Sequence, residues 1–162
     1  MNKTEVYEFL NSLNIEYEVT EHPAAFSMEE LSKIDLPYPE ADAKNLFLCD
    51  PKKNYYYLIT VKGDKRVDIK EFQKTYANRH LSFARENDMI QILGVTPGSV
   101  TPLGILNDKD LKVEFYLDIE LTKGIGLVGV HPNENTATVW LKTSDLVSII
   151  KNHGNKVTLI NV

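Results

Sequence analysis

Val6, Phe9, Leu10 and Leu13 recur at i, i+3, i+4 and i+7, which predicts an amphipathic first helix closed by Asn14. Ile15-Glu16-Tyr17-Glu18-Val19 then alternates as a half-buried strand, and His22-Pro23 breaks it because proline cannot donate to a ladder. Ser27-Met28-Glu29-Glu30 carries capping-box spacing and predicts a short helix from Ser27, which Pro37-Tyr38-Pro39 must end as a rigid surface turn. Ala43–Leu48 and Tyr55–Val61 are apolar runs joined by Asp-Pro-Lys-Lys-Asn, the pattern of a hairpin. Asp68 and Glu71 repeat the capping pattern ahead of a helix carrying Ile69, Phe72 and Tyr76, and Leu81-Ser82-Phe83 is briefly extended.

Met89, Ile90 and Leu93 form one more helical stripe, with Gly94 placed to close it. Val113, Phe115, Leu117 and Ile119 alternate with Lys112, Glu114, Tyr116 and Asp118, predicting a strand with one wet face. Ile125–Val130 and Thr136–Leu141 flank the turn His131-Pro132-Asn133-Glu134-Asn135 as two more strands. A helix capped by Thr143 or Ser144 and ended by Gly154 follows, then a last strand at Val157–Ile160. Strands interspersed with helices, several joined as hairpins, argue a mixed sheet in one α/β (α+β) domain over residues 1–162.

Between Gly94 and Gly104 this periodicity stops. Gly-Val-Thr-Pro-Gly-Ser-Val-Thr-Pro-Leu-Gly has two prolines that stiffen the backbone and glycines that let it approach another molecule closely. Small side chains and free N–H groups suit an oxygen-rich ligand; a rigid structural turn is the plainer reading of the loop alone.

Composition narrows the classes. The 162 residues fit one domain, and 43% hydrophobic residues supply a core. A net charge of −5 argues against a broad basic face but leaves room for a small basic site holding the end of a nucleic-acid strand. Cys49, the single cysteine, lies in an apolar run and reads as a buried structural thiol. No run approaches the apolar length of a membrane span, and the charged N-terminus leads into an amphipathic pattern, so a soluble cytoplasmic protein without membrane partners is expected.

The candidate chemistry is sparse. Four histidines without short ligand spacing and one cysteine argue against a zinc site, and no cofactor-binding fingerprint is present. Ser99 lacks the strand–turn–helix context of a nucleophile elbow. Acidic neighbours Glu29-Glu30 and Asp108/Asp110 read as solvated surface. Lys44, at the start of an apolar strand, either snorkels to the surface or aims its ammonium into a cleft to hold a phosphate or oxyanion. Asn45 beside it offers both donor and acceptor. His131, with Gly129 two positions earlier, opens a tight turn; His22 and His153 look like turn and helix-end residues.

Three segments taken together, Lys44-Asn45-Leu46-Phe47-Leu48, Leu93–Pro102 and His131–Thr138, resemble the YbaK/ProX family of aminoacyl-tRNA editing domains, and Leu81-Ser82-Phe83-Ala84 adds a weaker match. They stand in the family's order and the likeness spans nearly the whole chain, being strongest to freestanding ProX-type members that remove alanine from proline tRNA. The resemblance implies a strongly twisted mixed sheet flanked by helices and no cofactor. It implies that Gly98, Ser99, Val100, Thr101 and Pro102 line the pocket for the aminoacyl group and terminal adenosine. Lys44 matches the essential lysine, and Asn45 and His131 match residues of the same pocket, which Gly129 adjoins. Related members carry arginine just before Leu-Ser-Phe, where it helps hold the tRNA acceptor end. Here His80 fills that slot with Arg79 one position earlier, so either is a candidate tRNA contact.

The implied reaction is water attack on the ester between alanine and the terminal ribose, with N–H groups around Gly98–Val100 as oxyanion donors and Lys44 neutralising charge. The implied partner is the acceptor end of mischarged tRNA, with prolyl-tRNA synthetase or an elongation factor as transient neighbours. Two alternatives remain: a cysteine-specific deacylase of the same fold, and a non-catalytic tRNA- or nucleotide-binding module.

Overall fold

A computed structural model describes residues 1–24 and 35–162. The helix expected from Ser27 lies outside the described residues. Helix α1 (Lys3–Ser12) is closed at its start by a reciprocal capping box between Asn2 and Glu5. Strand β1 (Tyr17–Glu21) follows, two residues later than the alternation predicts, because Asn14 and Ile15 complete the turn out of the helix. A 3₁₀ turn, Pro39–Ala41, leads into β2 (Ala43–Cys49) and β3 (Tyr56–Lys62), the expected antiparallel hairpin. Ile69–Phe72 makes one α turn, capped by Asp68, and continues as a π turn through Ala77. After the two-residue β4 (Ser82–Phe83), turns at Glu86–Asp88 and Met89–Leu93 end at Gly94, whose φ of 66° is the left-handed cap its position predicts.

The remaining elements are β5 (Val113–Asp118), β6 (Leu127–Val130), β7 (Ala137–Lys142), α2 (Thr143–His153) and β8 (Val157–Ile160). They build two sheets. A mixed five-stranded sheet runs β4-β2-β3-β5-β8, antiparallel on the β2 side and parallel through β3, β5 and β8. An antiparallel three-stranded sheet runs β1-β7-β6.

The main core lies between them. Phe47, Leu58, Phe115 and Leu117 from the larger sheet meet Val128, Val130, Val139 and Leu141 from the smaller, with α1 and α2 closing the sides. The far face of the larger sheet is also covered: Leu48, Tyr57, Ile59 and Tyr116 pack beneath Phe72, Ala77 and Leu81. This corrects the expected wet face of β5. Tyr116 lies 4.9 Å, edge to face, from Phe72, and Asp118 is wholly buried against Lys65 at 2.9 Å. Parallel pairing on both sides of β5 needs crossover segments, and these cover both faces.

Two polar expectations also change. Asp108 is not solvated: its carboxylate is buried and accepts from the Lys112 and Val113 N–H groups and from Asn155 Nδ2, pinning the entry to β5. Thr143 does not cap α2, because its hydroxyl donates instead to the Leu121 carbonyl at 2.6 Å. Cys49 is buried as expected, and burial raises its thiol pKa. Among the described residues no helix is long and apolar enough to cross a membrane.

Candidate functional site

The stiff loop divides into three parts. Gly94 caps a helical turn, and Asn107 Nδ2 donates to the Leu93 carbonyl at 2.7 Å beside it. Thr96-Pro97-Gly98-Ser99 then forms a tight turn closed by Ser99 N–H to Thr96 O at 3.0 Å. Proline second and glycine third, with φ of 88° at Gly98, is the type II arrangement. Finally Thr101 caps a 3₁₀ helix, Pro102–Asn107, with proline at its first position. That helix falls where the sequence shows no period, since Leu103 and Ile105 fill the main core from a structure shorter than any periodicity test resolves.

The turn settles which N–H groups remain. Ser99 N–H is spent inside it, whereas main-chain acceptors among the described residues take neither Gly98 N–H nor Val100 N–H. Gly98 is exposed and Val100 half-buried, so both border open space.

Thr101 joins this loop to the histidine turn. Its Oγ1 donates to the His131 carbonyl at 2.8 Å, from a fully buried position. His131 Nδ1 lies 3.1 Å from the Ala137 carbonyl, across the turn. A carbonyl only accepts, so Nδ1 carries the proton and Nε2 is left as the basic nitrogen. Burial pushes the His131 pKa below its ordinary range; the Ala137 carbonyl opposes this, and nearby His22 adds to the depression.

A depressed histidine pKa has a stability consequence. The unfolded chain then binds more protons than the folded one below about pH 6.5, so stability is fully present above that pH and falls on acidification. Urea denaturation from pH 8 to pH 5 is expected to give a shallower acid slope for His131→Gln than for the wild type. Parallel slopes would contradict a partly buried neutral imidazole.

The outward face of the three-stranded sheet supplies the rest of the neighbourhood. In the β6–β7 pairing Gly129 stands across from Trp140, and extending that register one step past its last pair, Val130 and Val139, brings His131 level with Thr138. Glu18 and Thr20 lie opposite Trp140 and Thr138 on β1. Trp140 Nε1 donates to Thr20 Oγ1 at 2.9 Å, and Tyr38 meets the indole edge to face at 5.4 Å while its hydroxyl donates to Glu18. The Glu18 bond raises the Tyr38 pKa. Gly129 earns its place by packing: a Cβ there would sit 2.4 Å from Trp140 Cζ3.

Sequence reasoning read His22 as a turn residue and gave Thr138 and Trp140 no role, yet His22 borders His131 and the other two stand on the same sheet face. His22 and His131 ring centroids are 6.5 Å apart. The available signals were the shared parity of Thr138 and Trp140 on β7, opposite to Val139 and Leu141, and a histidine at the end of β1.

Lys44 and Asn45 fall on opposite faces of β2. Asn45 pairs with Thr60, whose hydroxyl donates to its Oδ1, on the side facing the smaller sheet. Lys44 pairs with Val61 on the other side. No described contact joins Lys44 to the Thr101–His131 pair. Lys44 is half-buried, and β4 meets β2 only at Leu48 and Cys49, so the edge of β2 beside Lys44 has no strand partner among the described residues. A four-carbon stem at a strand edge is long enough to carry its ammonium around that edge.

Of the two candidate tRNA contacts, Arg79 is committed. Its guanidinium lies 3.6 Å from the Tyr55 ring centroid and donates to the Tyr57 hydroxyl. His80 is exposed. Neither touches the Thr101–His131 pair in any described contact.

Residues 22–149 match the family described as the aminoacyl-tRNA editing domain. The chain is 39% identical over 160 residues to the prolyl-tRNA editing protein ProX of Acetoanaerobium sticklandii, covering 99% of this chain and 97% of that one. It is 37% identical over 155 residues to prolyl-tRNA synthetase associated domain-containing protein 1 of Bos taurus, covering 94% and 90%. Its fold is similar to a crystal structure described as a candidate trans-editing enzyme for prolyl tRNA synthetase, with a TM-score of 0.71 and 19% identity over 99% of this chain and 96% of that one.

Proposed function

The chain belongs to the aminoacyl-tRNA editing domain family, and from that premise we propose that it hydrolyses mischarged proline tRNA in trans, alanyl-tRNA first. The observation that carries this reading is the Thr101–His131 hydrogen bond, which unites the proline-pinned loop and the histidine turn as one pocket wall.

In the proposed reaction, water attacks the ester carbonyl carbon, the bond to the ribose oxygen breaks, and alanine and a free tRNA 3′ end leave. The oxyanion of the tetrahedral intermediate takes hydrogen bonds from Gly98 N–H and Val100 N–H, which flank the Ser99 N–H spent in the turn. Lys44 neutralises phosphate or ester oxygens from the edge of β2, and Asn45 lines the same pocket. His131 presents Nε2 as an acceptor, with its ring held by Ala137 and its backbone by Thr101. A ribose hydroxyl orients the water, so the protein acts chiefly by positioning.

Selection rests on size. One methylene gives only about 1–3 kcal/mol of discrimination by attraction, whereas a tight wall excludes the prolyl ring by overlap. The partner is the tRNA acceptor end, with His80 as the more available contact of the Arg79–His80 pair. Prolyl-tRNA synthetase and elongation factor are transient neighbours, and the cytoplasm is the compartment of such a reaction.

A deacylation panel of Ala-, Cys-, Ser- and Pro-charged proline tRNA tests the proposal. Alanyl ester is expected to be cleaved fastest and prolyl ester to be spared by about 100-fold or more. Faster cleavage of the cysteinyl ester would make this a cysteine deacylase. Binding of all four without turnover would make it a binding module.

A further inference from the structure

The two imidazoles beside Thr138 impose a fixed hydrogen-bond polarity. His22 Nδ1 lies 2.9 Å from the Pro23 carbonyl, an acceptor, so Nδ1 holds the ring proton. In the neutral ring Nε2 is then an acceptor, and it lies 2.9 Å from Thr138 Oγ1. The Thr138 hydroxyl must spend its single proton on His22. Its oxygen keeps lone pairs but has no donor left to offer. Across the strand pair, His131 is in the same condition, because Ala137 takes its Nδ1 proton and leaves Nε2 as an acceptor.

Thr138 and His131 share the outward face of the smaller sheet, and the His22 and His131 rings flank this notch with centroids 6.5 Å apart. We propose that this acceptor-only notch, Thr138 Oγ1 with His131 Nε2, binds the α-ammonium group of the aminoacyl ester. The assignment rests on the deacylase reading above and adds the subsite that reads the amino group. A group rich in N–H donors and carrying positive charge is the complement of two acceptors whose own protons are committed elsewhere. His22 is a positioning residue: it touches no reacting atom but dictates which way the Thr138 hydroxyl points. Thr138 is nine-tenths buried, so an unmatched ligand group there forfeits its hydration without compensation.

The test compares alanyl-tRNA with propionyl-tRNA, which keeps the ester and the methyl group and lacks the ammonium. The wild type is expected to prefer the alanyl ester in kcat/KM by about 10- to 100-fold, the worth of a hydrogen bond to a charged group. Thr138→Val, nearly isosteric, should collapse that preference to about 2-fold, and Thr138→Ser should restore it. His22→Leu should lower the preference as well, since it frees the hydroxyl to turn. A wild type that cleaves both esters equally, or a Thr138→Val variant that keeps the full preference, would overturn the notch while leaving the deacylase reading intact. A wild type that cleaves neither ester overturns both.

Discussion

Lys44→Ala is expected to lower kcat/KM for alanyl-tRNA hydrolysis by about 100-fold or more, close to 3 kcal/mol of transition-state stabilisation. Folding should survive the change. None of the ion pairs among the described residues includes Lys44, and its strand is held by a full hairpin ladder from Ala43 to Cys49. A half-buried lysine without a carboxylate partner contributes little to stability beyond its methylene stem, so the melting temperature should move by roughly 2 °C or less. Lys44→Met keeps the stem and removes only the charge; it should be as inactive as the alanine variant. Wild-type turnover by either variant would remove Lys44 from the reaction. The result also decides a geometric question, because the strand register puts Lys44 and Asn45 on opposite faces. Activity that depends on both would mean that the ammonium reaches the pocket around the edge of β2, which has no strand partner beside Lys44 among the described residues.

Gly129→Ala is expected to cost about 3 kcal/mol of stability, the scale of forced overpacking, and to lower the melting temperature by roughly 10 °C. The added methyl carbon would stand 2.4, 2.7 and 2.9 Å from three ring carbons of Trp140. The indole has nowhere to go: it is 1% exposed, its Nε1 is bonded to Thr20, and Tyr38 packs on it edge to face. Thermal denaturation is the direct measurement. Trp140→Leu should partly relieve the methyl group, so the double variant should lose less than the sum of the two single losses. A Gly129→Ala protein melting within about 2 °C of the wild type would show that the sheet gives way at no cost, and a contact with substrate would then be the better account of this glycine.

Much of the fold was legible because local physics repeats along the chain. Apolar runs bounded by turn residues placed β2, β3, β6 and β7 to within two residues at each end, and Gly94 and Gly154 marked helix ends through a conformation that few other residues adopt without strain. The wet face assigned to β5 went wrong for an instructive reason. Tyr116 and Asp118 are polar by type, but Tyr116 packs at tilted and edge-to-face angles against Tyr57 and Phe72, and Asp118 is paired with Lys65, partners far away in sequence. Asp108 misled for a related reason, since its local Lys112 and Val113 N–H donors are backbone groups that the side-chain pattern does not reveal, and Asn155 comes from a distant segment. Short 3₁₀ and π turns escaped because they are briefer than the periods that reveal helices.

By itself the sequence determined which residues carry the likeness to an editing domain, and it singled out the Gly94–Gly104 loop, Lys44, Asn45 and the His131 turn. Those are properties of composition, order and backbone stiffness, and they exist before the chain folds. Tertiary structure alone decided how the pieces face one another: that Thr101 clasps the His131 carbonyl, that Gly129 yields to Trp140, that Arg79 lies committed to Tyr55 and Tyr57, and that His22 turns the Thr138 hydroxyl. Each of those contacts closes a loop between distant positions, and hydrogen-bond direction is set by the group found at the other end.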